Sequence, residues 1–130
     1  MSRAEFTDDD PAGNDVPGAV APVISGGATV DSLRNVFGSV RWRYFGPRPL
    51  NEDNSIRSAA TSLVNLETGY RFSNSMRIAL DVFNLFDAKN SDIDYFYTSR
   101  LPGEPSGGIE DLHFHPTLPR TARVSLIYGF

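Results

Sequence analysis

Stretches of about ten residues that alternate apolar and polar side chains at period two recur along this 130-residue chain, and that periodicity limits it to extended strands packed side by side. Between Val36 and Phe45, Val36, Val40, Trp42 and Tyr44 fall on one face, with Ser39, Arg41 and Arg43 on the other. From Thr61 to Phe72, Val64, Leu66, Tyr70 and Phe72 oppose Asn65, Glu67 and Arg71. Met76 to Phe86 sets Met76, Ile78, Leu80 and Val82 against Arg77, Ala79 and Asp81. A short helix competes for this segment, because Leu80, Asn84 and Leu85 also stack at helical spacing; the tight turn at Ser73–Ser75 favours a hairpin instead. The last ten residues, Thr121 to Phe130, place Ala122, Val124, Leu126, Tyr128 and Phe130 on one side. Val20 to Val30 is a further strand, weakened by Pro22 and the Gly26-Gly27 pair.

The connectors alternate in length. Thr7–Gly18 is long, Asp31–Asn35 short, Gly46–Ser58 long, Ser73–Ser75 short, and Asp87–Pro119 long, the last having no sustained period. One end of the sheet therefore carries every long loop. Transmembrane β-barrels have this asymmetry, with short periplasmic turns and longer extracellular loops, and strands of about ten residues exceed the usual globular length of five or six. Aromatic side chains mark both ends: Trp42, Tyr44 and Phe45 at the long-loop end, Tyr70, Phe72, Tyr128 and Phe130 at the short-turn end, as expected of rings seated at two membrane interfaces. The predicted fold is an all-β antiparallel meander of five to six long strands, a curved segment of a large transmembrane β-barrel. Residues 1–19 would be a partial strand and a polar extracellular loop. Residues 20–130 would be the barrel segment, with long loops near 46–60 and 87–119.

Composition removes other classes. No apolar run approaches the roughly 18 residues of a transmembrane helix. The absence of cysteine excludes disulfides, and a net charge of -4 gives no basic footprint for nucleic acid. MSRAEFTDDDP lacks the apolar centre of a secretory signal, so the chain is expected to be a fragment of a longer exported protein. Catalytic residues, cofactors and a metal site are not expected. Asp111, His113 and His115 form a D-x-H-x-H run that reads as loop packing rather than a ligand set, and Tyr95, Phe96 and Tyr97 read as anchors of the long loop to the rim, with stacking on an aromatic ligand as the other option. The polar face, Arg41, Arg43, Glu67, Arg71, Arg77, Asp81 and Arg123, would be the lumen wall.

Four stretches, VRWRYFGPRPL (Val40–Leu50), SLVNLETGYRF (Ser62–Phe72), LDVFNLFDAKNSDIDYFY (Leu80–Tyr97) and HPTLPRTARVSLIYGF (His115–Phe130), resemble the carboxy-terminal part of the barrel in TonB-dependent receptors of the Gram-negative outer membrane. The resemblance extends from about Val16 to the end of the chain. It implies a barrel of about 22 strands, of which this is roughly the last quarter, around an amino-terminal plug. It further implies uptake of iron chelates or other scarce nutrients, contact with TonB only through the amino-terminal part, outer-membrane lipid and the rest of the barrel and plug as partners, and Phe130 as the signal read by the barrel-assembly machinery. The alternative is a soluble β-sandwich binding module, for instance for carbohydrate, in which Val40, Trp42, Leu66, Leu80 and Leu126 would face a second sheet.

Overall fold

The computed structural model describes residues 5–7, 13–20 and 22–129. Among these the alternating segments become seven strands: β1 (Val23–Leu33), β2 (Val36–Phe45), β3 (Thr61–Arg71), β4 (Met76–Phe83), β5 (Ser91–Ser99), β6 (Ile109–Pro116) and β7 (Thr121–Tyr128). The protein is all-β. Five strands form one sheet in the order β1-β2-β3-β4-β7, and β5 and β6 pair separately. The sheet is open, with β1 and β7 as its edges.

Two compact units result. The first comprises Ile24–Tyr44, Ser62–Lys89 and Leu118–Phe130 and carries the five-stranded sheet; the second comprises Met1–Val23, Phe45–Thr61 and Asn90–Thr117 and carries the β5–β6 hairpin. Within the sheet, β4 pairs antiparallel with both β3 and β7, so the last strand closes a meander although 37 residues, 84–120, intervene. Both long connectors leave from the same end of the sheet, and the short ones, 34–35 and 72–75, from the other.

The strand limits differ from the sequence reading in instructive places. β1 lies three residues later than expected and runs to Leu33, because Arg34 and Asn35 turn the chain by themselves, with φ of 50° and 70°. Two consecutive left-handed residues make the tight hairpin whose twist suits neighbouring strands, and Asn tolerates that conformation well. β4 stops at Phe83 rather than Phe86 since Asn84 enters the left-handed region at φ 49°. The helical alternative for this segment is not adopted.

The larger correction concerns 87–119, expected to be structureless. Ile93, Tyr95 and Tyr97 do alternate, and so do Leu112 and Phe114; they pair as β5 and β6 with Tyr95 opposite His113 and Asp94 opposite Phe114. Positive φ at Gly103 (98°) and Gly108 (76°) shapes the intervening loop. The expected partial strand at the start of residues 1–19 falls largely outside the described residues, and Glu5 forms an isolated bridge to Asp15.

Candidate functional site: two faces and a neck

Cross-strand partners share a face, so the register decides which side chains lie together. Tyr70–Ile78–Leu126, Thr68–Leu80–Val124 and Leu66–Val82–Ala122 are rows across β3, β4 and β7, and Met76–Tyr128 continues the face towards the short-turn end. β2 joins it at Trp42, whose indole Nε1 donates to Ser62 Oγ at 3.0 Å. This even-numbered face is exposed: Val124 and Leu126 retain 68% and 64% of their accessible surface, and Val36, Val40, Trp42, Tyr70, Ile78, Leu80 and Tyr128 are exposed as well. Buried hydrophobic residues in the described chain are few, Phe37, Leu50 and Ala79.

The aromatic groups occupy two levels of this face. Tyr70 and Phe72 meet edge to face at 5.1 Å beside the short turn, and Trp42 and Tyr44 lie 6.3 Å apart at the other end. The Arg71 amide donates to the Asn35 carbonyl at 2.9 Å, which sets the Tyr70 level beside the start of β2. Trp42 is about seven residues further along, roughly 23 Å at a rise of about 3.3 Å per residue. On a strand tilted by about 40°, that length rises roughly 18 Å, which falls within the apolar band of about 25 Å on outer-membrane barrels. Phe130 lies outside the described residues.

The odd-numbered face gathers the charges named from the sequence. Glu67, Asp81 and Arg123 form one row, and Arg123 Nε and Nη2 both donate to Asp81 Oδ2, at 3.1 and 3.0 Å. Ser39 Oγ donates to Glu67 Oε2 at 3.3 Å, and Arg71 pairs with Asp31 at 3.7 Å. Arg71 stands opposite Arg77, a like-charged pair. Arg71 instead lies over the Phe37 ring, 4.9 Å from its centroid. Phe37 itself was not foreseen here. Its ring occupies the space a Cβ at Gly69 would need, against buried Ala79 in the same row, so a small apolar core sits inside the polar face. Only the lone glycine inside a strong strand hinted at such close approach.

The NLFD element proves to be a clamp at the neck of the longest connector. Asn84 is 5% exposed. Its Nδ2 donates to the carbonyls of Ala88 (3.1 Å) and Leu118 (3.0 Å), its Oδ1 accepts from the Ala88 amide (2.9 Å), and its own amide donates to Asn65 Oδ1 (3.0 Å). Asp87, also left-handed at φ 53°, accepts from the Arg120 amide at 3.0 Å and pairs with Lys89 at 3.0 Å. The Arg120 amide, and after it Lys89, hold the Asp87 carboxyl below the ordinary carboxylate range.

A depressed folded pKa means that protonation favours the unfolded state. The contribution is present above the ordinary value of about 3.9 and lost as pH falls through the folded value. Protection of the Arg120 amide from hydrogen exchange should therefore hold from neutral pH down to about pH 4 and fall below it. Asp87→Asn should remove that dependence; protection that does not change with pH in the parent chain would contradict this role.

The second unit is held by polar contacts of its own. Arg48 pairs with Asp94 at 3.1 Å, the Asp94 side chain being 4% exposed, and Thr61 Oγ1 donates to the Ser91 carbonyl at 2.7 Å. Asp94 thus turns one face of the hairpin towards residues 46–60. Of the aromatic triplet read as rim anchors, Phe96 is half-buried, and Tyr95 and Tyr97 are exposed at 55% and 52%. Tyr97 stacks on His113 at 4.1 Å. Among the described residues no three His, Asp or Glu come together as a metal set, and no helix is long and apolar enough to cross a membrane. No protein-family model and no curated protein sequence matches the chain.

Proposed function

We propose that the five-stranded sheet is a wall segment of an outer-membrane β-barrel, the carboxy-terminal part of a TonB-dependent receptor that takes up iron chelates or another scarce nutrient. The observation that carries this reading is the largely exposed even-numbered face, apolar at most positions from Val36 to Tyr128 and bounded by aromatic pairs at both ends. Such a face belongs against lipid, while the charged odd face, with Phe37 as its local core, belongs against a polar lumen and the plug. A soluble sandwich would need a second sheet over Val40, Trp42, Leu80 and Leu126, and these side chains are exposed. The proposed role is structural and transport-related, with no enzymatic step.

The open edges of β1 and β7 fit the same reading, since unpaired N–H and C=O groups cost several kcal/mol each in hydrocarbon and call for further strands. Phe130 is proposed as the assembly signal on sequence grounds. Fractionation tests the proposal: the full-length protein carrying this sheet should sediment with outer membranes and resist alkaline carbonate, and the isolated chain should give no discrete conductance in vesicles. A detergent-free monomer that melts cooperatively would overturn it.

A further inference from the structure

Two histidines share one face of the β5–β6 hairpin. His113 and His115 are two residues apart on β6, so both side chains leave the same face, with Cβ atoms roughly 7 Å apart. Tyr95 stands opposite His113 and Ile93 opposite His115. Tyr97 stacks on the His113 ring, with an interplanar angle of 18°, and fixes its plane. His113 Nε2 is shut off from solvent and has no hydrogen-bond partner. Burying an unsatisfied nitrogen is unfavourable, so the ring orientation that turns Nε2 out of this position is favoured. A half-turn about χ2 keeps the stack and exchanges Nε2 with Cε1, so the donor can be presented without losing the contact with Tyr97. His115 is exposed.

Asp111 completes the D-x-H-x-H run in sequence but not in space. Its carboxylate accepts from the Leu112 amide at 2.7 Å, and four residues of extended strand put it roughly 13 Å from His115. The donor set is therefore two neutral nitrogens without a carboxylate, which suits zinc, nickel or copper and disfavours calcium and magnesium. We propose that His113 and His115 form a two-imidazole chelate for a divalent transition-metal ion, its remaining positions filled by water. This inference does not rest on the barrel reading, and its test is independent of that one.

Tagless full chain in detergent micelles should bind one Ni²⁺ per chain by calorimetry, and Cu²⁺ should give an electron paramagnetic resonance spectrum with splitting from two nitrogens. His113→Ala and His115→Ala should each weaken binding by about a hundredfold, because the second donor acts at high effective concentration. Asp111→Asn should leave affinity within about threefold, since its carboxylate lies beyond reach. His115→Gln, at an exposed position, separates loss of the donor from loss of folding, which circular dichroism would report. Binding unchanged by either histidine variant, or no greater than in the double variant, would overturn the proposal.

Discussion

Val124→Arg should lower recovery of the protein in the outer membrane by about tenfold or more, while Thr121→Arg on the same strand should be nearly silent. Both positions are exposed, and they lie on opposite faces. Val124 stands opposite Leu80 in the middle of β7, and Thr121 stands opposite Phe83 on the odd-numbered face, beside the Asp81–Arg123 pair. With 68% of its surface already exposed, Val124 would lose little in water on becoming Arg, within about 0.5 kcal/mol for an ordinary surface position. Against lipid the same guanidinium costs about 2–4 kcal/mol near the midplane. Urea unfolding of the complete barrel in vesicles should show that difference for Val124→Arg only. Equal behaviour of the two variants would remove the distinction between faces on which the proposed function depends.

Asn84→Leu should open the neck of the long connector. It deletes three side-chain hydrogen bonds, two to carbonyls and one from the Ala88 amide, at a position only 5% exposed. Groups left buried and unpaired cost about 1–3 kcal/mol each, and a leucine at φ 49° adds about 1 kcal/mol of backbone strain, so a loss of about 3–5 kcal/mol is expected. Asn84→Gly separates the two effects, since it tolerates the backbone but restores no bond. Brief proteolysis should cut the leucine variant at Lys89 and Arg120 far sooner than the parent, with the glycine variant between them. A leucine variant as resistant as the parent would show that the clamp contributes nothing to the neck.

Much of the sheet was legible in the sequence because a half-exposed strand writes its period directly into its residues. β2 has the expected limits, and β3 and β7 begin where expected; the rows Tyr70–Ile78–Leu126 and Glu67–Asp81–Arg123 keep the predicted faces together. What escaped depends on backbone conformations that composition does not announce. Arg34 at φ 50° is an unusual turn residue, so Asp31–Leu33 read as connector instead of strand. The β5–β6 hairpin was hidden because Asp94, a charge in the middle of an apolar run, is buried only by virtue of Arg48, 46 residues away in sequence. Phe37 escaped for a related reason: an aromatic ring on a polar face has a place only where Gly69 leaves room for it.

Single cysteines offer the most direct measurement, since the chain has none of its own. Ser106 lies in the exposed loop between β5 and β6, and Asn74 in the exposed short turn between β3 and β4. If the sheet spans the outer membrane with its long connectors outside, a membrane-impermeant thiol reagent added to intact cells should label Ser106→Cys. Asn74→Cys should react only after the outer membrane is permeabilised. Labelling of Asn74→Cys on intact cells with Ser106→Cys protected, or equal reactivity of both before and after permeabilisation, would contradict the proposed placement of the sheet in the membrane.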